Sequence, residues 1–322
     1  MIEYKSKIKM NLLILSLFVL ITAGMLSTAV SASSNYKTTL TKGTEIFTVE
    51  KYDIDGWKTT VNSNTTPSDW FDGYTNLTGA QSKVTLKGWN DITWDTYDVF
   101  FSLFMREYFT LEDLVIILNL MDNLGYNETT INANYTNTYK LWYGLRAVWN
   151  FTAGELANTP SYIDGLIVFK NPLDFKAILD DYNILATELN GIFPIQLAGY
   201  NFPILNADDF LWQLVLNGLS IGKPQSDYLV NLIDELGCEN VTVSGSSLNI
   251  NRYGETDYIV VISYGGKGTM SSLLVKDVDE NIIFQIVSTN SEWIFYTILI
   301  VIAICGVVLA VYVIIKKRKP KI

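Results

Sequence analysis

Residues 293–315 run for 23 positions without a charged side chain. At a rise of about 1.5 Å per residue, a helix of that length spans roughly 34 Å, enough for the hydrocarbon core of a bilayer. A run this long and apolar predicts a transmembrane helix rather than a helix of a soluble core. Trp293, Phe295 and Tyr296 stand at one end and Tyr312 at the other, where amphipathic rings favour the headgroup level. The tail 316–322 follows at once with Lys316, Lys317, Arg318, Lys319 and Lys321, and this excess of positive charge places it in the cytoplasm.

The other end carries the second constraint. Lys5, Lys7 and Lys9 precede the apolar run 12–24, and small residues then lead to Val30-Ser31-Ala32, the pattern of a secretory signal cleaved after Ala32. An uncleaved signal anchor is the alternative, and both readings put residues 33–292 outside the cytoplasm. The chain is thereby divided into a signal peptide (1–32), an extracytoplasmic domain (33–292), a transmembrane helix (293–315) and a basic tail (316–322). The expected location is the plasma membrane, in a single pass.

Charge and composition narrow what the extracytoplasmic part can do. It holds 15 basic and 32 acidic residues, a net charge of −17, which repels a phosphate backbone and argues against nucleic acid as a partner. The sequence contains no His, so imidazole bases, Ser-His-Asp and Cys-His nucleophiles and His-ligated metals are excluded. Only Cys238 and Cys305 are present, which rules out thiolate zinc clusters and a disulfide framework. No cofactor and no metal is expected, and no enzymatic constellation stands out.

Six sequons, at Asn64, Asn76, Asn127, Asn134, Asn150 and Asn240, all fall in the exported part and are candidate glycosylation sites. In layout the chain resembles archaeal single-pass cell-surface proteins, which have a signal peptide, an acidic ectodomain, one C-terminal membrane helix and a short basic tail. The resemblance covers the whole length but rests on no motif, and it transfers no site residue.

Local patterning predicts an α+β fold built on a mostly antiparallel sheet with packed helices. Segments 44–50 and 57–61 read as a hairpin turning at Asp55-Gly56, and 81–88 reads as a strand. Residues 92–109 fit no single period. Thr110 caps a helix that Gly125 closes, 139–151 and 165–170 are strands, and Asn171-Pro172 opens a helix ended by Gly191. Helices over 207–219 and 224–235 precede a β-meander over 241–287. The Ile-Asp-Gly triplets at Ile54 and Ile163 hint at a duplication.

Candidate functional residues concentrate in one aromatic loop. Trp70, Phe71, Asp72 and Tyr74 combine rings with carboxylates, as stacking on sugars requires, although the same rings could fill a core. Asp277-Val-Asp279-Glu280-Asn281 opens like a calcium loop but has Ile282 where the sharp turn needs Gly, so a hairpin turn is the better reading. The acid pairs Asp180-Asp181 and Asp208-Asp209 are poor catalytic candidates, because adjacent helical residues point apart. These features lead to a membrane-anchored binding or adhesion protein whose ligand is a glycan, a lipid or another surface protein. The alternative is a membrane-proximal carrier of lipid or another apolar ligand, held in a groove between the sheet and the helices.

Overall fold

The computed structural model describes residues 36–289, apart from 106–107, 193–194 and 196–197. The sequence expectations for 1–32, 293–315 and 316–322 lie outside the described residues. Among the described residues no helix is long and apolar enough to cross a membrane.

Nine strands form one curled, wholly antiparallel sheet: β1 (Gly43–Tyr52), β2 (Gln81–Asp95), β3 (Thr138–Thr152), β4 (Tyr162–Phe169), β5 (Val241–Ser244), β6 (Ser247–Tyr253), β7 (Asp257–Tyr264), β8 (Met270–Asp277) and β9 (Ile282–Thr289). Their spatial order is β4-β3-β2-β1-β9-β8-β7-β6-β5, so the first and last strands meet in the middle of the sheet. The seven α-helices described are α1 (Ile54–Thr60), α2 (Thr96–Val99), α3 (Leu111–Asn123), α4 (Glu128–Asn134), α5 (Asp174–Asn190), α6 (Ala207–Leu216) and α7 (Gln225–Leu236). The last three carry the chain from one edge strand, β4, to the other, β5.

The core follows from the apolar periodicity. Phe175, Ile178, Tyr182, Leu185 and Leu189 lie along one side of α5, each at most 2% exposed. Each such burial stabilises the fold by about 1.5–3 kcal/mol. The Tyr228 hydroxyl of α7 donates to the carbonyl of Phe169 at 2.9 Å, which fastens that helix to the end of β4. Across the sheet, β7 alternates as the sequence pattern requires, with Tyr258, Val260, Ile262 and Tyr264 buried.

The mixed, antiparallel architecture agrees with the sequence expectation, and so do most elements. Thr110 caps α3 by accepting from the Asp113 N–H at 3.2 Å, Asn206 caps α6, and Gly237 closes α7 at φ 74°. The first hairpin is wrong. Residues 57–61 are not a strand; they belong to α1 and its C-cap, whose N-cap Asp53 accepts from the Gly56 N–H at 3.0 Å. The Asp-Gly signal lost because a carboxylate was placed to cap a helical turn, and because the turn buries Trp57 completely, edge-on to Tyr52, Trp70 and Phe284.

Residues 92–109 defeat a single-period reading because the chain changes period within them. β2 continues to Asp95, a short helix follows, and a π-helical stretch over Phe100–Met105 buries Phe100, Phe104 and Met105. The two Ile-Asp-Gly triplets have no structural relation: one opens α1, the other lies within β4. The duplication reading is therefore discarded.

Candidate functional site

The aromatic loop is positioned by a short 3₁₀ turn, Pro67–Asp69, at which the Asp69 carboxylate accepts from the Thr66 N–H at 2.7 Å. Trp70 and Phe71 then fold back, both donating to the Pro67 carbonyl. Beyond them the loop is pinned to the end of β3: Phe151 donates to the Asp72 carbonyl at 3.0 Å and Tyr74 donates to the Phe151 carbonyl at 2.9 Å. Gly73 between them has φ 97°, and a Cβ there would lie 2.3 Å from the Phe151 oxygen. Only glycine permits this approach.

The pinned loop covers a cavity of about 360 Å³. Trp70, Phe71 and Asp72 line it, and Tyr74, 63% exposed, does not. Trp70 is half-buried, its ring edge-on between Trp57 at 4.8 Å and Trp212 at 5.1 Å. The cavity's opposite wall is sheet, and its polar groups come from residues that the sequence reading did not single out. Arg146 on β3 and Asp164 on β4 are register partners, joined by two hydrogen bonds to one carboxylate oxygen at 3.0 and 2.5 Å. Arg146 also donates to the Asn217 carbonyl at 3.1 Å, and its guanidinium lies against Gly218, which leaves no room for a side chain there.

Glu45 on β1 supplies a second carboxylate, 14% exposed, with Lys267 at 3.7 Å and the Thr269 hydroxyl at 3.3 Å from either oxygen. Burial raises its pKa, and the opposing effects of Lys267 and Thr269 do not cancel that rise. At the rim, burial and the Asp72 and Asp164 carboxylates push the Tyr162 hydroxyl up to about 12, so it stays a donor at neutral pH. Asn150 lines the same wall with its side-chain oxygen buried and unpartnered, and the Ser82 hydroxyl is spent on the Trp149 carbonyl at 2.6 Å. The cavity therefore combines aromatic faces with fixed donors and acceptors, as a small polar ligand requires. The only sequence signals for Arg146 and Asp164 were charges placed inside largely apolar strands.

The sequons are distributed unevenly. Asn64, Asn76, Asn134 and Asn240 are exposed, Asn127 is half-buried as the N-cap of α4, and Asn150 belongs to the cavity wall. The Asn240 amide donates to Asp208 at 2.8 Å.

The remaining candidates resolve into structural roles. Asp277 accepts from the Asp279 and Asn281 N–H groups at 2.9 and 2.8 Å and from the Asn281 amide at 2.8 Å, which makes it the organiser of the β8–β9 turn. Asp180 pairs with Lys176, whereas Asp181 accepts from Thr96, Asn137 and Tyr139. A more open depression of about 640 Å³ contains Asp208 and Asp209. There Asp208 accepts from Glu239 and Asn240 N–H groups, and Asp209 accepts the α6 cap amide and faces Arg252 at 3.6 Å. Among the described residues no group of three acids or thiols could hold a metal ion. Between α2 and α5 the void is only about 10 Å³, too small for an acyl chain.

No family model matches the chain, and no curated protein or solved structure matches it significantly.

Proposed function

We propose that the protein is a membrane-anchored, extracytoplasmic binding protein, held by 293–315, whose cavity takes a small polyhydroxylated ligand such as the end of a glycan. The observation that carries this reading is the cavity under the aromatic loop. Trp70 and Phe71 offer apolar ring surface, while Arg146, Asp164, Tyr162 and Asp72 offer donors and acceptors at its wall and rim. The reading is binding without chemistry: the chain has no imidazole base, and the cavity carboxylates Asp164 and Glu45 are engaged by Arg146 and by Lys267 and Thr269. The apolar-carrier alternative receives less support: where β4 meets α5 and α6 the space is only about 190 Å³ and is bordered by Ser102, Asp164 and Asn217 as well as by apolar residues, and between α2 and α5 it is about 10 Å³.

The test is a glycan-array and small-polyol screen with the full chain, repeated with Tyr162→Phe and Asp72→Asn. The first removes a hydroxyl and the second a charge and an acceptor oxygen at the rim, and neither empties the core. Loss of at least about tenfold in affinity in either supports the reading. A ligand that binds both variants as tightly as the native chain lies elsewhere, and the assignment of this cavity falls.

A further inference from the structure

The strongly acidic body has one basic end. Lys37, Lys42, Lys87 and Lys223 are all exposed, and none is in an ion pair among the described residues. The fold brings them together from three distant segments. Lys37 and Lys223 face each other across a two-way backbone bridge at 3.0 and 2.9 Å. Lys42 lies over Gly88, where an added Cβ would meet its chain at 3.4 Å, and Lys87 is its sequence neighbour there, next to Leu86, the register partner of Gly43. Thr39 donates to the Gly266 carbonyl at 2.8 Å, tying the first segment to the loop that carries Lys267. Against these charges stand Glu45, which Lys267 holds, and Asp227.

The chain leaves the sheet at this same end. Thr289, the last residue of β9, is the register partner of Ile46, and its hydroxyl donates to the Ile46 carbonyl at 3.2 Å. The strand therefore exits toward Gly43 and Lys42 on one side and toward the 265–269 loop, which precedes β8, on the other. Only residues 290–292 separate Thr289 from Trp293. At about 3.5 Å per extended residue, that connection spans at most roughly 14 Å. Screening at physiological salt acts over about 8 Å, so a body held this close feels the charge of the surface beneath it mainly through its nearest end.

We propose that this lysine-bearing end is a docking face for an anionic bilayer surface, with the four lysines on lipid headgroup phosphates. It rests on the reading of 293–315 as a membrane segment. A body of net charge −17 would otherwise be repelled by such a surface in every orientation. Placing unpaired lysines where the tether emerges selects one orientation. Trp89, 36% exposed and hydrogen-bonded through its ring N–H to the Leu40 carbonyl at 3.3 Å, adds an amphipathic ring to the same region.

The experiment uses the full chain in nanodiscs of phosphatidylcholine alone or mixed equally with phosphatidylglycerol. A fluorophore is placed at Thr41→Cys, or at Val278→Cys in the turn at the opposite end of β8 and β9, with Cys238 and Cys305 replaced by Ala. Energy transfer to a headgroup-labelled lipid is then read. The expected result is transfer from position 41 that rises at least about twofold in the anionic discs, no such rise from position 278, and loss of the rise when Lys37, Lys42, Lys87 and Lys223 are changed to Gln. Equal transfer in both lipids, or a rise that survives the four substitutions, overturns the docking face while leaving the anchor intact. A chain that alkaline carbonate strips from vesicles overturns the anchor and the docking face together.

Discussion

Replacing Trp70 with Ala tests how the aromatic loop is built, and the structure sets the expected magnitude. The ring makes two edge-to-face contacts, with Trp57 and Trp212, at 4.8 and 5.1 Å. Such pairs contribute about 0.5–1.5 kcal/mol each beyond the area they bury. A fully buried Trp cut to Ala costs about 3–5 kcal/mol, and a half-buried one forfeits roughly half of that. The two contributions overlap, so the expected loss is about 2–4 kcal/mol, more than a surface ring and less than a core ring. For a body of this size, that corresponds to a fall of roughly 5–15 °C in Tm. Urea unfolding of the full chain in detergent, followed by far-UV circular dichroism, measures the loss, and Trp70→Phe should recover about half of it. A loss under about 1 kcal/mol would mean that the ring stands free of Trp57 and Trp212, and its packing between them would have to be abandoned.

Gly73→Ala should destabilise by about 1–3 kcal/mol, because the new Cβ meets the Phe151 carbonyl at a positive φ; an unchanged urea midpoint would show that the loop is not held against β3. Asp174, half-buried at the start of α5, has its pKa pushed up to about 6 by burial despite a hydrogen bond from Asn171. Its folded pKa exceeds the unfolded value, so its contribution is complete below the ordinary Asp range near 3.8 and is lost as pH rises through about 6. Native stability minus that of Asp174→Asn should therefore fall between those limits, and a flat difference in paired urea titrations would contradict the burial. The Cys238 thiol is pushed up to about 12 by burial and the nearby Asp208 carboxylate, so in a Cys305→Ala chain it should react with aromatic disulfide reagents far more slowly folded than unfolded. Because Cys238 is free, a reducing agent should leave Tm unaltered, and a drop on reduction would reveal a bond to a partner chain.

How far the sequence could be read depended on whether a feature was local. Thr110 with Asp113, Asn206 with Asp209, and Gly237 each act within one turn of chain, and each marked its helix end correctly. The meander from β5 to β9 was equally legible, since short turns join neighbouring strands with alternating burial. α1 was misread because two local signals competed at Asp53 to Gly56, and the winner was decided by burial of Trp57 against β9 and the Trp70 loop, far away in sequence. The site was half legible for the same reason. Trp70, Phe71 and Asp72 sit in one loop and could be found together, but Glu45, Arg146 and Asp164 come from three strands that only the sheet register unites. No spacing rule connects residues 45, 146 and 164.

That register places the cavity across the one junction in the sheet that is not local. β5 to β9 form by successive short turns, and β1 to β4 form in sequence order with helical insertions, but β1 joins β9 across the whole length of the body. Closing a loop of some 230 residues costs about 5 kcal/mol of chain entropy. Burial of Phe47, Val49, Trp57, Phe284 and Ile286 around the junction offsets this. Glu45 and Phe47 of β1, Ile286 of β9 and Met270 of β8 all line the cavity together with β2 to β4, so its wall exists only when the junction is closed. A ligand in the cavity binds the closed sheet and not the opened one, and must stabilise the junction by RT ln(1 + [L]/Kd), about 2.7 kcal/mol at a hundredfold excess over Kd. Hydrogen exchange of the β1 amides paired with β9 should therefore slow on ligand addition, while exchange within the β6–β7 pair, remote from the cavity, should change least. Equal slowing throughout the sheet would mean that the nine strands open as one unit and that the junction has no separate stability.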